Sequence, residues 1–456
     1  MKTQAASVVK DPGTETFNDG LSAAPICVTG RVSEGDPLMD LNAQPQTHRF
    51  RNNAMAVGVG NPGWQAAADR DLLDNSVRYV GNDRLERQSD GHRFINMVSC
   101  SYLGLHSHPW VLEGARTAIE SEQTFALPVS RLRIRFSILD ELEAGLSALF
   151  RARCVAAISA SVASAAVLPM IASGHLTDDG NPRVMVFDKF SHFSLNYIKP
   201  ICADEAPVLT CPHNDLNYLE DMCKRHKRVA YVADGAYSLG GVAPVKELLE
   251  LQDRYGLFLY FDDSHSLSMY GARGEGIVRS TMPEELNPLT VVVASLGKAF
   301  GATGGVIMLG PEKHHDVLMR FGGPLAWSQP QNAPTVGACL GSLRVHNSPE
   351  LAQRQQRLRQ NAALFDSLIP TPQAGLDTAI RLIATGAESK AIGLSSQILE
   401  RGFYTSAVFF PVTAKGRAGL RIMVRADNDS DDIRRLCESV SDLVTLESQD
   451  LVSVSA

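Results

Sequence analysis

No apolar run in the chain reaches the about 18 to 20 residues that a helix needs to cross a bilayer. The N-terminus also lacks a basic segment followed by an apolar stretch and a cleavage site. A membrane-spanning or exported chain is thereby set aside, and a soluble, cytoplasmic protein with no membrane partner is the expectation. The eight cysteines, Cys27, Cys100, Cys154, Cys202, Cys211, Cys223, Cys339 and Cys437, contain no C-x-x-C pair, so neither a zinc site nor a redox couple is expected. Charge of one sign is scarce as well. A net charge of −7 over 456 residues gives no footprint for nucleic acid. Internal repeats and long low-complexity tracts are missing, which excludes solenoids and arrays.

What is present is ordinary globular material, 44% hydrophobic and 20% charged, long enough for two or three domains. Residues 1–65 mix Gly, Pro, Asn, Asp and Ser with few periodic apolar positions and read as an N-terminal arm, partly disordered. Beyond it come short apolar or β-branched runs, Cys154–Ile158, Val184–Phe187, Val229–Val232, Phe258–Phe261 and Leu289–Ala294. Helix-like segments such as Leu139–Phe150 and Val245–Arg254 separate them. Strands alternating with helices predict an α/β domain over 66–335 with a mostly parallel sheet covered on both faces. After about 335 a long amphipathic stretch, Pro349–Leu368, short strands and a closing helix near Asp431–Leu446 predict a smaller C-terminal α+β domain over 336–456.

In open parallel sheets ligands bind at the carboxyl edge, so polar residues just after predicted strands carry most weight. One such strand runs into Asp262-Asp263-Ser264-His265, a second into Ser295-Leu296-Gly297-Lys298, and a third into Asp188 with His192 and Ser194 beyond. Singly, each has an ordinary structural reading: an aspartate there caps a helix, a histidine is hydrogen-bonded, a loop lysine is solvated. Together they supply what pyridoxal 5'-phosphate (PLP) requires. A lysine amine, Lys298, condenses with the aldehyde, and a carboxylate, Asp262, keeps the pyridine nitrogen protonated. His265 suits a hydrogen bond to the ring oxygen, and His192 suits stacking on the ring face. The phosphate needs hydroxyls and N–H groups at a helix N-terminus, which the Ser159–Ser164 segment offers through Ser161 and Val162, with Ser295 adding a hydroxyl.

From about Phe94 to Leu446 the chain resembles the α-oxoamine synthases, a family of fold-type-I PLP transferases related to the class II aminotransferases. The matching text is Cys100-Ser101-Tyr102-Leu103-Gly104-Leu105, Asp188-x-x-x-His192-x-Ser194, His213-Asn214-Asp215, Asp234-Gly235-Ala236-Tyr237-Ser238, Asp262-Asp263-Ser264-His265-Ser266 and Ser295-Leu296-Gly297-Lys298-Ala299-Phe300-Gly301. The resemblance implies Lys298 as the Schiff-base lysine, Asp262 as the pyridine partner, His192 as the stacking residue, and Ser238 and His265 as further cofactor contacts. It also implies a homodimer with its sites at the subunit interface.

Three segments depart from that pattern. Ala126–Arg135 keeps a Ser-Arg pair but lacks the glycines that relatives using acyl-CoA carry there. If extended, it would place Arg131, Arg133 and Arg135 on one face, able to grip a nucleotide-bearing second substrate. Gly419-Leu420-Arg421-Ile422 has lost the first arginine of the family's pair and kept the second, so Arg421 is the expected clamp for the substrate carboxylate. The wording around Ser264, Leu296 and Pro411-Val412-Thr413 is similar to the aminoketone autoinducer synthase branch, which makes Thr413 a substrate-side residue and admits S-adenosylmethionine beside alanine and serine as the amino acid.

The reading that follows is carbon–carbon bond formation between an amino-acid-derived carbanion and an electrophile, in the first place an acyl-CoA. An alternative is an enzyme of the same fold that eliminates the γ-substituent of S-adenosylmethionine and adds or annulates a nucleotide-type partner such as NAD, or an aminotransferase. Fold alone does not separate them.

Overall fold

The computed structural model describes residues 53–81 and 83–453, and side chains over 56–81 and 83–444. Residues 1–52 of the expected arm, Cys27 among them, lie outside the described residues. The remainder of that stretch belongs to a helix, Asn53–Ala68, with Pro62 inside it.

Fourteen strands follow among the described residues. β1 (Val77–Tyr79), β2 (Arg84–Arg87) and β3 (Arg93–Asn96) form an antiparallel meander. Then come β4 (Arg153–Ala157), β5 (Val184–Asp188), β6 (Val208–Cys211), β7 (Val229–Asp234), β8 (Phe258–Asp262), β9 (Thr290–Ser295) and β10 (Gly305–Leu309). The last four are β11 (Ile380–Gly386), β12 (Phe403–Tyr404), β13 (Ser406–Val408) and β14 (Ala418–Met423). β12 pairs in parallel with β3, so the C-terminal part of the chain completes the N-terminal sheet.

The seven central strands make one sheet in the order β4-β10-β9-β8-β7-β5-β6. All its pairings are parallel except those of β10, which runs antiparallel to both β4 and β9. Alternation along the strands explains why it is buried on both faces. Leu259 and Phe261 pack into one core with Tyr231, Val292 and the helix Ser137–Phe150. Phe258 and Tyr260 point the other way, into a core with Val232, Val293 and the helix Ala160–Ala172. With period-two geometry and both sides covered, a central strand is apolar at every position, the pattern of a parallel sheet.

The predicted strands are found within a residue or two, while β6 and β10 were not foreseen. β10 is short, and its sequence Gly305-Val306-Ile307-Met308-Leu309 follows the lysine loop so closely that it reads as loop continuation. The smaller C-terminal layer is also as expected: the long helix Glu350–Leu368, an antiparallel sheet β11-β14-β13 and a closing helix Ser430–Ser453. Its core gathers Phe365, Leu420, Ile422 and Leu436. That sheet sets β14, and with it Arg421, beside the carboxyl edge of the central one.

Candidate active site

Four neighbouring strands of the central sheet, β9, β8, β7 and β5, end in polar residues at the same edge. β8 delivers Asp262, whose Oδ1 accepts the backbone N–H of Ser264 at 3.0 Å, closing a tight turn. That turn is fastened from both sides. Ser264 Oγ accepts the N–H of Ser295 at 2.8 Å, and the buried Asp263 accepts the N–H of Val278 at 3.0 Å. Burial pushes the Asp263 carboxyl up to about 7. The next residue in the turn, His265, is buried and faces the loop that follows β9.

That loop carries Lys298, whose Nζ lies 3.0 Å from His265 Nε2. On its other side His265 Nδ1 is 2.7 Å from the hydroxyl of Tyr102. Burial, reinforced by Lys298, Arg421 and His192, holds the His265 pKa well below the usual imidazole value, so the ring is neutral. Burial likewise lowers the Lys298 pKa against the opposing pull of Asp262, Cys100 and Asp234. A lysine shifted this way keeps more free amine near neutral pH, the form that attacks a carbonyl. Burial also raises the Tyr102 pKa far above the phenol range, so the hydroxyl keeps its proton.

β5 ends in Asp188, a fully buried carboxylate that accepts from the backbone N–H groups of Phe190 and Asn214, from His213 Nδ1 and from Tyr231 Oη. Burial alone would raise its pKa, but the bonds from His213, Asn214 and Phe190 hold it below the ordinary value. With the strand end so anchored, the following turn presents His192 at the cap of a short helix, Phe193–Asn196. Its Nδ1 is 2.8 Å from Ser194 Oγ, and its backbone N–H donates to Asp234 Oδ1 at 3.0 Å. The surrounding protein, with Lys298 and Arg421, lowers the His192 pKa against the pull of Asp262.

The helix Ala160–Ala172 starts beside this edge, because Gly305 of β10 lets it approach. A Cβ on Gly305 would lie 2.6 Å from the N of Ala160. Ser159 caps that helix by accepting from the N–H of Val162 at 3.1 Å. Of the predicted phosphate pair, Val162 therefore has its N–H already engaged. Ser161, exposed in the first turn, retains a hydroxyl and an N–H with no acceptor inside the helix. Ser295 Oγ accepts from Gly297 N–H at 3.1 Å and fixes the start of the lysine loop. Ser238 is half-buried in the turn after β7.

From the C-terminal sheet, Arg421 enters the same electrostatic neighbourhood as Tyr102, His192, His265 and Lys298. On this side the buried Nε of Arg421 has no partner, and neither has Thr413 Oγ1 in the turn that follows β13. Orphaned donors of this kind are costly unless a ligand completes them. A donor set of one amine, a carboxylate, two imidazoles, hydroxyls and a helix N-terminus fits a phosphorylated pyridine aldehyde, with the Arg421 orphan left for a substrate acid group.

The arginine cluster is not what the sequence led us to expect. Residues 131–133 form a turn, with Arg133 N–H bonded to Ser130 O at 2.9 Å, so the alternation that would align three guanidiniums is broken. Arg131 turns inward, 4% exposed, onto Ala156 O at 2.7 Å and the carboxylate of Glu143. Arg135 pairs with Asp140 at 2.6 Å on the surface, and only Arg133 is left exposed with no ion pair among the described residues. Sequence reasoning also passed over Tyr102 and Asp234. Both stood inside quoted motifs, and Asp234 came two residues after the predicted strand Val229–Val232, as Asp262 came directly after Phe258–Phe261, which was the available signal.

Residues 141–440 match the family model of aminotransferase class I and II. The chain belongs to that family. It is 27% identical over 369 residues to 8-amino-7-oxononanoate synthase of Alkaliphilus metalliredigens, covering 78% of this chain and 89% of that one. Its fold is that of serine palmitoyltransferase from S. paucimobilis, solved with bound PLP, with a TM-score of 0.74 at 19% identity over 85% of this chain and 96% of the other. The 8-amino-7-oxononanoate synthase of Francisella tularensis superposes with a TM-score of 0.63 at 20% identity, covering 78% and 99%. Both kinds of relative are α-oxoamine synthases, the group that the motifs resemble.

Proposed function

We propose that this chain is a PLP-dependent synthase that joins an amino acid to an acyl thioester through a new carbon–carbon bond. The observation that carries the reading is the meeting of Lys298, His265, Asp262 and His192 at one sheet edge with the unpartnered Nε of Arg421 from a second sheet. Bound PLP supplies an electron sink for negative charge at the substrate's Cα.

The residues divide the remaining work. Lys298 would hold the cofactor and, once displaced by the amino acid, its free Nζ would take the Cα proton. Asp262 would face the pyridine nitrogen, His192 the ring face, and His265 and Ser238 the polar substituents. Ser161 and Ser295 would supply hydroxyls to the phosphate at the helix N-terminus that Val162 helps to cap. Arg421 would clamp the α-carboxylate and so fix the orientation of the bonds at Cα, with Thr413 as a further substrate-side hydroxyl. The acyl thioester, in CoA form, is the second substrate, in line with what the relatives are named for. A homodimer is part of the reading, supported by the rings of Phe190, Phe193 and Tyr197, each more than half exposed around His192. Among the described residues no helix is long and apolar enough to cross a membrane, and the seven described cysteines are free thiols, which suits a reducing compartment such as the cytoplasm.

Purified protein loaded with PLP tests this with alanine, serine and S-adenosylmethionine in turn, each with and without an acyl-CoA. The expected result is release of free CoA thiol that depends on one amino acid. Thioether release from S-adenosylmethionine without acyl-CoA, or amino transfer to a 2-oxo acid, would overturn it in favour of another reaction of the same fold.

A further inference from the structure

Asp234 ends β7 as Asp262 ends β8, and the two are register partners across that parallel pair. Both are buried, at 2% and 6% exposure. A second carboxyl held alongside, away from water, makes it costly for Asp234 to ionise. Asp234 Oδ1 accepts the backbone N–H of His192 at 3.0 Å, a tie from the central sheet to the turn that carries the imidazole. Within the turn the remaining ties are local, His192 Nδ1 to Ser194 Oγ at 2.8 Å and Asn196 Nδ2 to Ser191 O at 2.8 Å.

We propose that Asp234 is a positioning residue of this site: its neutral carboxyl pins the backbone of His192, which sets the imidazole over the pocket beside Asp262. The inference rests on the reading of the pocket as a PLP site. The groups that face Asp234 are Asp262 on β8, Lys298 on the loop after β9 and Asp188 at the end of β5. Burial and Asp262 raise the Asp234 pKa far above the carboxylate range, and neither Lys298 nor the bond from His192 offsets them.

Two substitutions separate pinning from charge. Asp234→Ala removes the acceptor and leaves the His192 N–H bare, whereas Asp234→Asn keeps an acceptor oxygen and is neutral at every pH. The readouts are titration of cofactor-free protein with PLP, the pH dependence of the bound cofactor's visible absorbance, and thermal unfolding of the cofactor-free protein. The alanine variant should bind PLP about ten-fold more weakly. The asparagine variant should regain most of that loss with the wild-type pH profile. An alanine variant that binds like wild type would refute the pinning. An asparagine variant that is folded, yet binds no better than alanine or shows a displaced pH profile, would show that the charge on Asp234 is needed and overturn the assignment, even if alanine prevents folding. Wild-type protein that takes up no PLP at all would instead sink the cofactor reading, a distinct result.

Discussion

The imidazole of His265 lies 3.0 Å from the amine of Lys298, and its far nitrogen is 2.7 Å from Tyr102 Oη. The same hydroxyl lies 3.9 Å from Met423 Sδ, a weak acceptor, so its short bond is the one to the imidazole. A neutral histidine has one N–H to place, and the bond at Nδ1 enters the decision of which nitrogen carries it.

Replacing Tyr102 by Phe keeps the ring in its apolar cluster and removes that bond. The expected outcome is a roughly ten-fold fall in kcat, the worth of about one buried hydrogen bond, with PLP still bound. Steady-state rates alongside the cofactor spectrum check it, and an unaltered kcat would mean that the tautomer of His265 does not matter to the reaction.

Lys298→Ala should abolish covalent attachment of PLP. Borohydride reduction followed by peptide mapping reads this directly, since a labelled peptide that excludes residue 298 would move the assignment elsewhere. In the wild type, burial lowers the pKa of this amine. The lysine is therefore deprotonated, and PLP uptake fast, to lower pH than a solvated lysine with a pKa of about 10.4 would allow. The rate of uptake by cofactor-free protein should fall on acidification, with its midpoint below that value.

Asp262→Asn should leave PLP attached and slow the loss of the Cα proton by about 10²- to 10³-fold, because an amide does not hold the pyridine nitrogen protonated. Exchange of the amino acid's α-hydrogen into deuterated water isolates that step. Wild-type exchange in the variant would place the pyridine partner at another residue.

Much of this site was legible because it sits where strands end. The apolar runs before Asp188, Asp262 and Ser295 are buried on both faces, so the first polar residue after each marks the sheet edge almost to the residue. Arg421 was readable only through the family pattern, since nothing in a strand reading Ala418–Met423 says which sheet it will face. Contacts between segments far apart in the chain were not legible: the Tyr102–His265 bond spans 163 positions, and the Asp234–His192 tie joins two loops that look independent in sequence. The arginine cluster failed for a related reason. Alternation implies one face only if the segment is extended, and a single Ser130–Arg133 turn removes the premise.

That failure gives the last prediction, because Arg131 and Arg133 should behave in opposite ways. Arg131 Nη1 donates to Ala156 O, while its other terminal nitrogen pairs with Glu143, which also accepts the N–H of Ala156 at 2.6 Å. Removing Arg131 strips a largely buried carboxylate of its partner beside β4. A loss of about 3 kcal/mol in unfolding free energy is expected, with little change in the KM of the folded fraction. Arg133 is exposed and has no ion pair among the described residues, so its removal should leave stability within about 0.5 kcal/mol. If a phosphate of the second substrate docks on Arg133, Arg133→Ala should raise the KM for acyl-CoA about ten-fold and spare amino-acid binding. Urea unfolding and steady-state kinetics on the two single variants separate the roles. An Arg131 variant as stable as wild type would contradict the buried pairing, and an Arg133 variant with unchanged KM would remove this segment from substrate recognition.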